Sequence, residues 1–540
     1  MADTTSGRLA LANFWVAFIT FLLAAFLGLY QTVERSGLFS DLLSPPLYFA
    51  SVSAHGVIMG FVLTTFFIMG FGYWVATSSL NRPLWSPGLA WLGFLLALGG
   101  TVLAASMLFT GKASVLYTFY PPLRADPRFY IGATLLVVGS WLWCLEMVMS
   151  MVKWKKANPG QPVPLAMFGT VANAILWFVT SLGVASEVIF QLIPWSLGWT
   201  ETVDVGLART LFSWTLHAIV YFWLIPAYIA MYTLLPRAAG GKLFSDEMGR
   251  IAFIMLMVFS VPIGFHHLYV DPFQAEGWKF LHMIGTFMVA VPTLFTGFTV
   301  IASLEVAGRM RGGRGLFGWI RTLPWDNPMV LAGGLALAML TVGGWGGLVN
   351  ASYSMDVAVH NTQWITGHFH LIFAGTTVIM YFAISYFLWP SITGKALRSE
   401  RLARLQLWLW FIGMLVLTLP WHVLGLLGQP RRISSTPYDD PLVQQWVPYE
   451  VAMAIGGAIL VVSAVLFVYN LLATHLNPMT VSDRTTRYAE PVHPVLKLPR
   501  LLNGFGFWTG VLAIYLLASY GYPILQFFLM ETHGTFPWDI

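Results

Sequence analysis

The chain has 540 residues, of which 57% are hydrophobic and only 9% charged, and its mean hydropathy is +0.71. A soluble domain carries roughly 25% charge, so this composition excludes a string of soluble domains and describes a polytopic membrane protein. The net charge of +5 is spread over short loops between apolar runs, which excludes a nucleic-acid partner, and the single cysteine, Cys144, excludes an intramolecular disulfide or a thiolate-rich metal centre made by this chain alone.

Segments of about 20 apolar residues are long enough to cross a bilayer. They begin near Leu11, Ser51, Gly88, Tyr130, Ala166, Leu207, Ile251, Lys279, Met329, Gln363, Leu405, Val451 and Phe507. The expected fold is therefore all-α, a single transmembrane domain over 1–540 built as a bundle of about 13 helices. The first segment has no small-residue cleavage pattern and reads as a span, not a removable leader. The stretch from Pro478 to Arg500 reads as a surface loop.

Alternate loops are basic: Lys153, Lys155 and Lys156; Arg237 and Lys242; Arg309, Arg311 and Arg314; Lys395, Arg398 and Arg401; Arg484 and Arg487. The intervening loops carry Glu34 and Asp41, Glu201 and Asp204, Asp271 and Glu276, Asp356, Asp439 and Asp440. Lys112, Arg124 and Arg128 depart from the alternation. Positive loops stay inside, which predicts a cytoplasmic N-terminus and an external C-terminus.

That orientation brings six histidines from four spans to one depth. His55 and His217 follow the outer ends of the second and sixth spans, His266 and His267 close the seventh, and His368 and His370 open the tenth. A lone intramembrane histidine is more often a hydrogen-bonded structural residue. Six in the outer half of a bilayer point to function. His266 and His267 differ by about 100° around a helix, and both reach one metal only if the helix is distorted. Pro262 and Gly264 supply the distortion. With His217 they make a three-imidazole site of the kind that suits copper, zinc or iron. His368 and His370 are rotated roughly 200° apart and cannot share that metal. Each can serve a separate flat cofactor: His370 with His55 for a six-coordinate haem, His368 for a haem with an open face toward the three-imidazole metal.

Tyr221 lies four residues after His217 and on the same helical face. Tyr228 and Tyr232 continue that face inward, and Thr293, Thr296 and Thr299 descend the eighth span at three-residue spacing. These hydroxyls read either as a proton path to Tyr221 or as ordinary packing and helix-bonded threonines.

The runs SAHGVIMG, HAIVY, GFHHLYVDP and HNTQWITGHFHL resemble the haem-copper oxygen reductases, catalytic subunit I. HHLYVDP, the YFWLIPAY continuation and the Tyr/Thr series look most like the B family, the ba3-type cytochrome c oxidases. The resemblance implies His55 and His370 on low-spin haem b, His368 on a high-spin a-type haem, and His217, His266 and His267 on the copper CuB. It implies a Tyr221 cross-linked to His217 that gives an electron and a proton to the four-electron reduction of O2 to water. Arg431 and Arg432 would hold haem propionates, with Asp356 and His360 near them and Tyr120 lining the site. A solvated loop, or packing for Tyr120, is the alternative for these positions. Ile219 stands where the A family has the glutamate ending a second proton channel, which implies one input channel. The implied partners are a subunit II carrying CuA, cytochrome c and a small single-helix subunit, and the implied location is a prokaryotic cell membrane. A nitric oxide reductase of the same superfamily, a quinol-fed oxidase and a proton-coupled transporter are the rival readings.

Overall fold

A computed structural model describes residues 4–38, 44–433, 436–437 and 439–529. Asp41, counted above with the outer loops, lies outside them. The described residues hold long helices and no strand; three isolated bridges pair Leu243 with Pro491, Thr362 with Pro430 and Lys395 with Thr480.

Among the described residues, twelve continuous helices are long and apolar enough to cross a membrane. They are α1 (Thr4–Arg35), α2 (Pro45–Leu80), α3 (Pro87–Phe109), α4 (Pro127–Ala157), α5 (Leu165–Ser196) and α6 (Val205–Ala238); α7 is the shorter Asp246–Phe259; then follow α8 (Glu276–Met310), α9 (Pro328–Ala351), α10 (Gln363–Thr393), α11 (Glu400–Leu426), α12 (Val447–His475) and α13 (Gly506–Leu529). The expected thirteen segments are all helical. The one that begins near Ile251 differs in kind: its α-helix ends at Phe259, and after Pro262 the chain continues as a 3-10 turn, Gly264–Leu268. Proline has no N–H to bond the preceding turn, so the break falls where the sequence places that residue.

Side-chain oxygens supply the starts. Asp204 accepts from Leu207 N at 2.9 Å before α6, and Thr362 accepts from Trp364 N at 3.3 Å before α10. Each satisfies a donor that the helix itself leaves free. Lipid offers no hydrophobic drive between helices, so close contact is made by small residues. In α3 and α4, a Cβ on Gly132 would lie 2.6 Å from the Gly100 carbonyl oxygen, and one on Gly93 would lie 2.9 Å from that of Gly139. Thr215 ties α6 to α5, donating to Thr180 O and accepting from Val184 N, both at 2.8 Å.

The segment expected as a surface loop binds the ends of several helices. Tyr488 pairs with Ser78 at 2.7 Å, Ala489 N donates to Thr233 O at 2.7 Å, and Leu243 N donates to Glu490 O at 2.9 Å. It thus connects the ends of α2 and α6 at one face of the bundle. The opposite ends of α1, α2, α6, α9 and α10 surround the site.

Candidate haem-copper site

All six histidines line one internal cavity of about 1020 Å³, enclosed by α1, α2, α6, α8, α9, α10, α11 and α12. Its walls are mostly apolar.

The 3-10 turn brings His266 and His267 together. Their ring centres are 4.1 Å apart, and the His217 ring on α6 lies 4.3 Å from His266 and 5.7 Å from His267. One ligand atom from each of the three falls within 4.8 Å of the others. The Nε2 atoms of His217 and His267 are buried without a hydrogen-bond partner. An orphaned buried polar atom is costly, and a bound metal ion removes that cost. His266 uses Nδ1 toward Ile263 O at 2.7 Å and Thr286 Oγ1 at 3.1 Å. Contacts of this kind set the tautomer of a metal-binding imidazole.

His368 and His370 diverge. His368 Nδ1 meets Gly343 O on α9 at 2.9 Å, and Gly347 leaves room for its ring, since a Cβ there would lie 2.9 Å from Cε1. His370 instead packs on Trp421 of α11 at 4.7 Å and runs nearly parallel to His55, with ring centres 6.2 Å apart and planes inclined by 17°. Two imidazoles bonded to one metal through nitrogen at about 2.0 Å each have ring centres roughly 6 Å apart. Both rings engage backbone through Nδ1, His55 with Ala24 O and His370 with Thr366 O, each at 2.8 Å. Gly28 of α1 accommodates the His55 ring, for a Cβ would lie 2.8 Å from its Cε1. Directly after His370, the residues Leu371–Val378 widen into π-helical turns, as do Ile58–Leu63 shortly after His55. Such widenings are frequent at functional sites.

The Tyr221 ring lies 5.2 Å from that of His217 and lines the cavity. Tyr228 donates to Thr293 at 3.4 Å and Tyr232 to Thr296 at 3.0 Å, so α6 and α8 present paired hydroxyls. The Thr299 hydroxyl is buried with no hydrogen-bond partner. Thr296 also donates to Pro292 O at 2.8 Å, the helix-bonded arrangement that was the alternative reading.

At the loop end of the cavity, Arg431 donates to Asn361 Oδ1 at 2.9 Å, and Arg432, at φ 64°, lays its guanidinium 5.6 Å from the Tyr117 ring centre. Burial, and then its neighbour Arg432, bring Arg431 down to about 10. His360 and Asp356 pair at 2.6 Å, with side chains only 9% and 2% exposed. Burial pushes the Asp356 carboxyl up, against the lowering effect of the hydrogen bond from His360. All four residues line the cavity, Asp356 and His360 nearly buried and the arginine pair partly so. Tyr120 lines it too, with the Arg209 guanidinium 4.7 Å from its ring centre and Asp271 paired to Arg209 at 2.9 Å.

Residues that sequence patterns did not single out also shape the site. Gly28 and Gly347 give the rings space, and Thr286 fixes His266. His282 stacks on Phe265 at 3.9 Å and accepts from Phe265 N at 3.2 Å, clamping the 3-10 turn. None has a local signature, because each acts on a residue of another helix or a distant turn.

A membrane bundle with a three-imidazole cluster beside three further imidazoles defines a haem-copper oxidase core. Residues 8–459 match the family Cytochrome C and Quinol oxidase polypeptide I. Cytochrome c oxidase subunit 1 of Thermus thermophilus is 42% identical over 89% of this chain and 86% of the relative. The protein of the same name from Thermostichus vulcanus is 28% identical over 84% and 81%. A chain of a heme-copper terminal oxidase dimer, solved by cryo-EM, superposes with TM-score 0.92 at 36% identity, covering 97% of this chain and 93% of that one. The chain belongs to the haem-copper oxidase subunit I family and is the catalytic subunit of a terminal oxidase, an oxidoreductase. The family carries haems and CuB and works with further subunits in a membrane; the orphaned imidazole nitrogens and the parallel His55–His370 pair fit those groups.

Proposed function

We propose that this chain reduces dioxygen to water with four electrons, as subunit I of a ba3-type cytochrome c oxidase, and couples that reaction to proton translocation. The observation that supports it most is the convergence of the six imidazoles and Tyr221 on one cavity. His55 and His370 hold low-spin haem b, His368 holds a high-spin a-type haem, and His217, His266 and His267 hold CuB. Bound there, these groups supply O2 binding and stored electrons.

The protein's own residues prepare the reaction. Backbone carbonyls at Nδ1 of His55, His368 and His370 direct the other ring nitrogen into the cavity. Apolar walls exclude water and strengthen every charge interaction inside. Tyr221, next to His217, would be cross-linked to it, a bond between an imidazole nitrogen and the phenol ring that forms as each ring loses one hydrogen and O2 takes up the two electrons and two protons, and it delivers a proton and an electron to the reacting oxygen. Tyr228, Tyr232, Thr293, Thr296 and Thr299 carry protons to Tyr221 from the cytoplasmic side. Arg431 and Arg432 hold propionates, Tyr120 lines the site, and Asp356 with His360 stands near the propionates on the way out. Electrons come from cytochrome c through a subunit II carrying CuA, and a small single-helix subunit completes the complex. The N-terminus is cytoplasmic and the C-terminus external, in one transmembrane domain of a prokaryotic cell membrane.

Pyridine haemochrome spectra and metal analysis of the purified complex test this assignment. Two haems, one of them a-type, and near-equimolar copper in subunit I are expected. Non-haem iron without copper overturns it in favour of a nitric oxide reductase, and turnover with quinol but not cytochrome c overturns the donor. In Tyr221→Phe, O2 turnover falls by more than about 100-fold, the scale of a lost proton donor, with both haem spectra retained; normal turnover removes Tyr221 from the chemistry.

A further inference from the structure

We propose that Arg35, the last residue of α1, is a third guanidinium for the propionates of the haem between His55 and His370, and that it raises that haem's reduction potential. This rests on the assignment of His55 and His370 as that haem's ligands. Gly28, Thr32 and Arg35 recur at helical spacing and all line the cavity, so one face of α1 runs from the His55 ring to the guanidinium. Arg35 is coupled to the opposite ligand as well. The Gln363 carboxamide satisfies both its ends only when its oxygen accepts from Arg35, at 2.7 Å from Nη1 and also from Nη2, while its nitrogen donates to Thr366 Oγ1 at 3.2 Å. Thr366 is the residue whose carbonyl holds His370 Nδ1 at 2.8 Å.

The same corner holds the arginine pair. Gln363 N donates to Gln429 O at 3.0 Å and Arg431 N to Asn361 O at 2.9 Å, so the strip 429–431 is tied to the start of α10. Arg35 Nη2 reaches Pro430 O of that strip at 3.4 Å. Tyr48 hydrogen-bonds Arg35 and lies within electrostatic reach of Glu34 and Glu450. Both carboxylates are buried and neither lines the cavity, and Glu450 accepts from Gln429 at 2.5 Å. Arg35 alone of these charged groups faces the cavity together with the His55–His370 pair and the Arg431–Arg432 pair. The Arg35 fork is aimed by Gln363 and Pro430, so what it brings to the propionates is a fixed positive charge, and such a charge favours the more negative, reduced state of a nearby iron.

The test is a potentiometric titration of the low-spin haem in the purified complex, followed at its own absorption band. In Arg35→Met, the ratio of reduced to oxidised low-spin haem at fixed potential should fall about tenfold, about 59 mV for one electron. Arg35→Lys should restore most of the loss. Gln363→Ala, which keeps the charge but frees its aim, should give a smaller fall of the same sign and covers the case in which Arg35→Met does not assemble. A low-spin haem that titrates as wild type in Arg35→Met or, failing assembly, in Gln363→Ala overturns the proposal: the guanidinium is then neutralised by Glu34 and Glu450. A wild-type complex with no six-coordinate haem signal overturns the ligand assignment instead, so the two failures are distinct.

Discussion

In α7 the helix stops at Phe259, and His266 and His267 lie on a 3-10 turn with ring centres 4.1 Å apart. In α10 the helix runs through His368 and His370, and the two rings meet different partners: Gly343 of α9 for one, Trp421 and His55 for the other. Both segments place two histidines at one end of the cavity. The difference is in backbone continuity. An intact helix rotates each residue by about 100°, so residues two apart separate cofactors. Ending the α-helix and tightening the chain into a 3-10 turn brings the adjacent rings of His266 and His267 within 4.1 Å and lets them share one metal. Separation needs no special sequence beyond the spacing, whereas convergence needs Pro262, Gly264 and a clamp from His282.

The largest effect should follow from removing a converging ring. His267→Ala should lose its copper and lower O2 turnover by more than about 100-fold, beyond the effect reported for outer partners of metal ligands. The low-spin spectrum at His55 and His370 should persist, because those rings are held by carbonyls of α1 and α10. Metal analysis beside an optical spectrum checks it, and copper retained at wild-type level would separate His267 from the metal.

Gly264→Ala attacks the turn without touching a ligand. A Cβ there would overlap the Ser213 carbonyl oxygen, and it would lie 2.5 Å from the Tyr520 hydroxyl, which also accepts from Gly264 N at 3.1 Å. Overpacking of this kind costs about 1–3 kcal/mol. The expected outcome is a lower thermal midpoint with reduced copper occupancy and an unchanged low-spin haem band. Full copper loading at unchanged stability would show that the turn is not set by its contact with α6.

The mildest test is Thr286→Val, which removes the hydroxyl 3.1 Å from His266 Nδ1 but leaves the Ile263 carbonyl in place. Loss of an outer partner typically costs about 10–100-fold in metal affinity; with one of two partners kept, a loss near about tenfold is expected. Competition with a copper chelator measures it. No change would assign the orientation of His266 to the backbone alone.

Much of this was legible in the residues themselves. The apolar runs located every long helix, because a bilayer demands length and composition together. Pro262 and Gly264 marked the break in α7, and the i, i+2 spacing marked the divergence in α10. The sequence of segment 478–500 shows a surface loop but not its ties to α2 and α6, since backbone pairing between distant strips has no local sequence signal. Asp356 and His360 were open to a solvated reading, because burial depends on what the rest of the bundle places over a loop.

Sequence by itself determined that the chain crosses a membrane many times and which imidazoles share a depth, for hydropathy and helical rotation are properties of short stretches. Shared depth already suggests that His55 meets His370 and that His217 meets His266 and His267; only the tertiary structure decided the distances and angles at which those rings stand. It set His55 parallel to His370, joined His217 to the 3-10 turn, and turned Arg35 into the cavity beside residues some 330 to 400 positions further on. Those choices depend on side chains from separate helices filling one space, and spacing along a single helix carries no information about its neighbour.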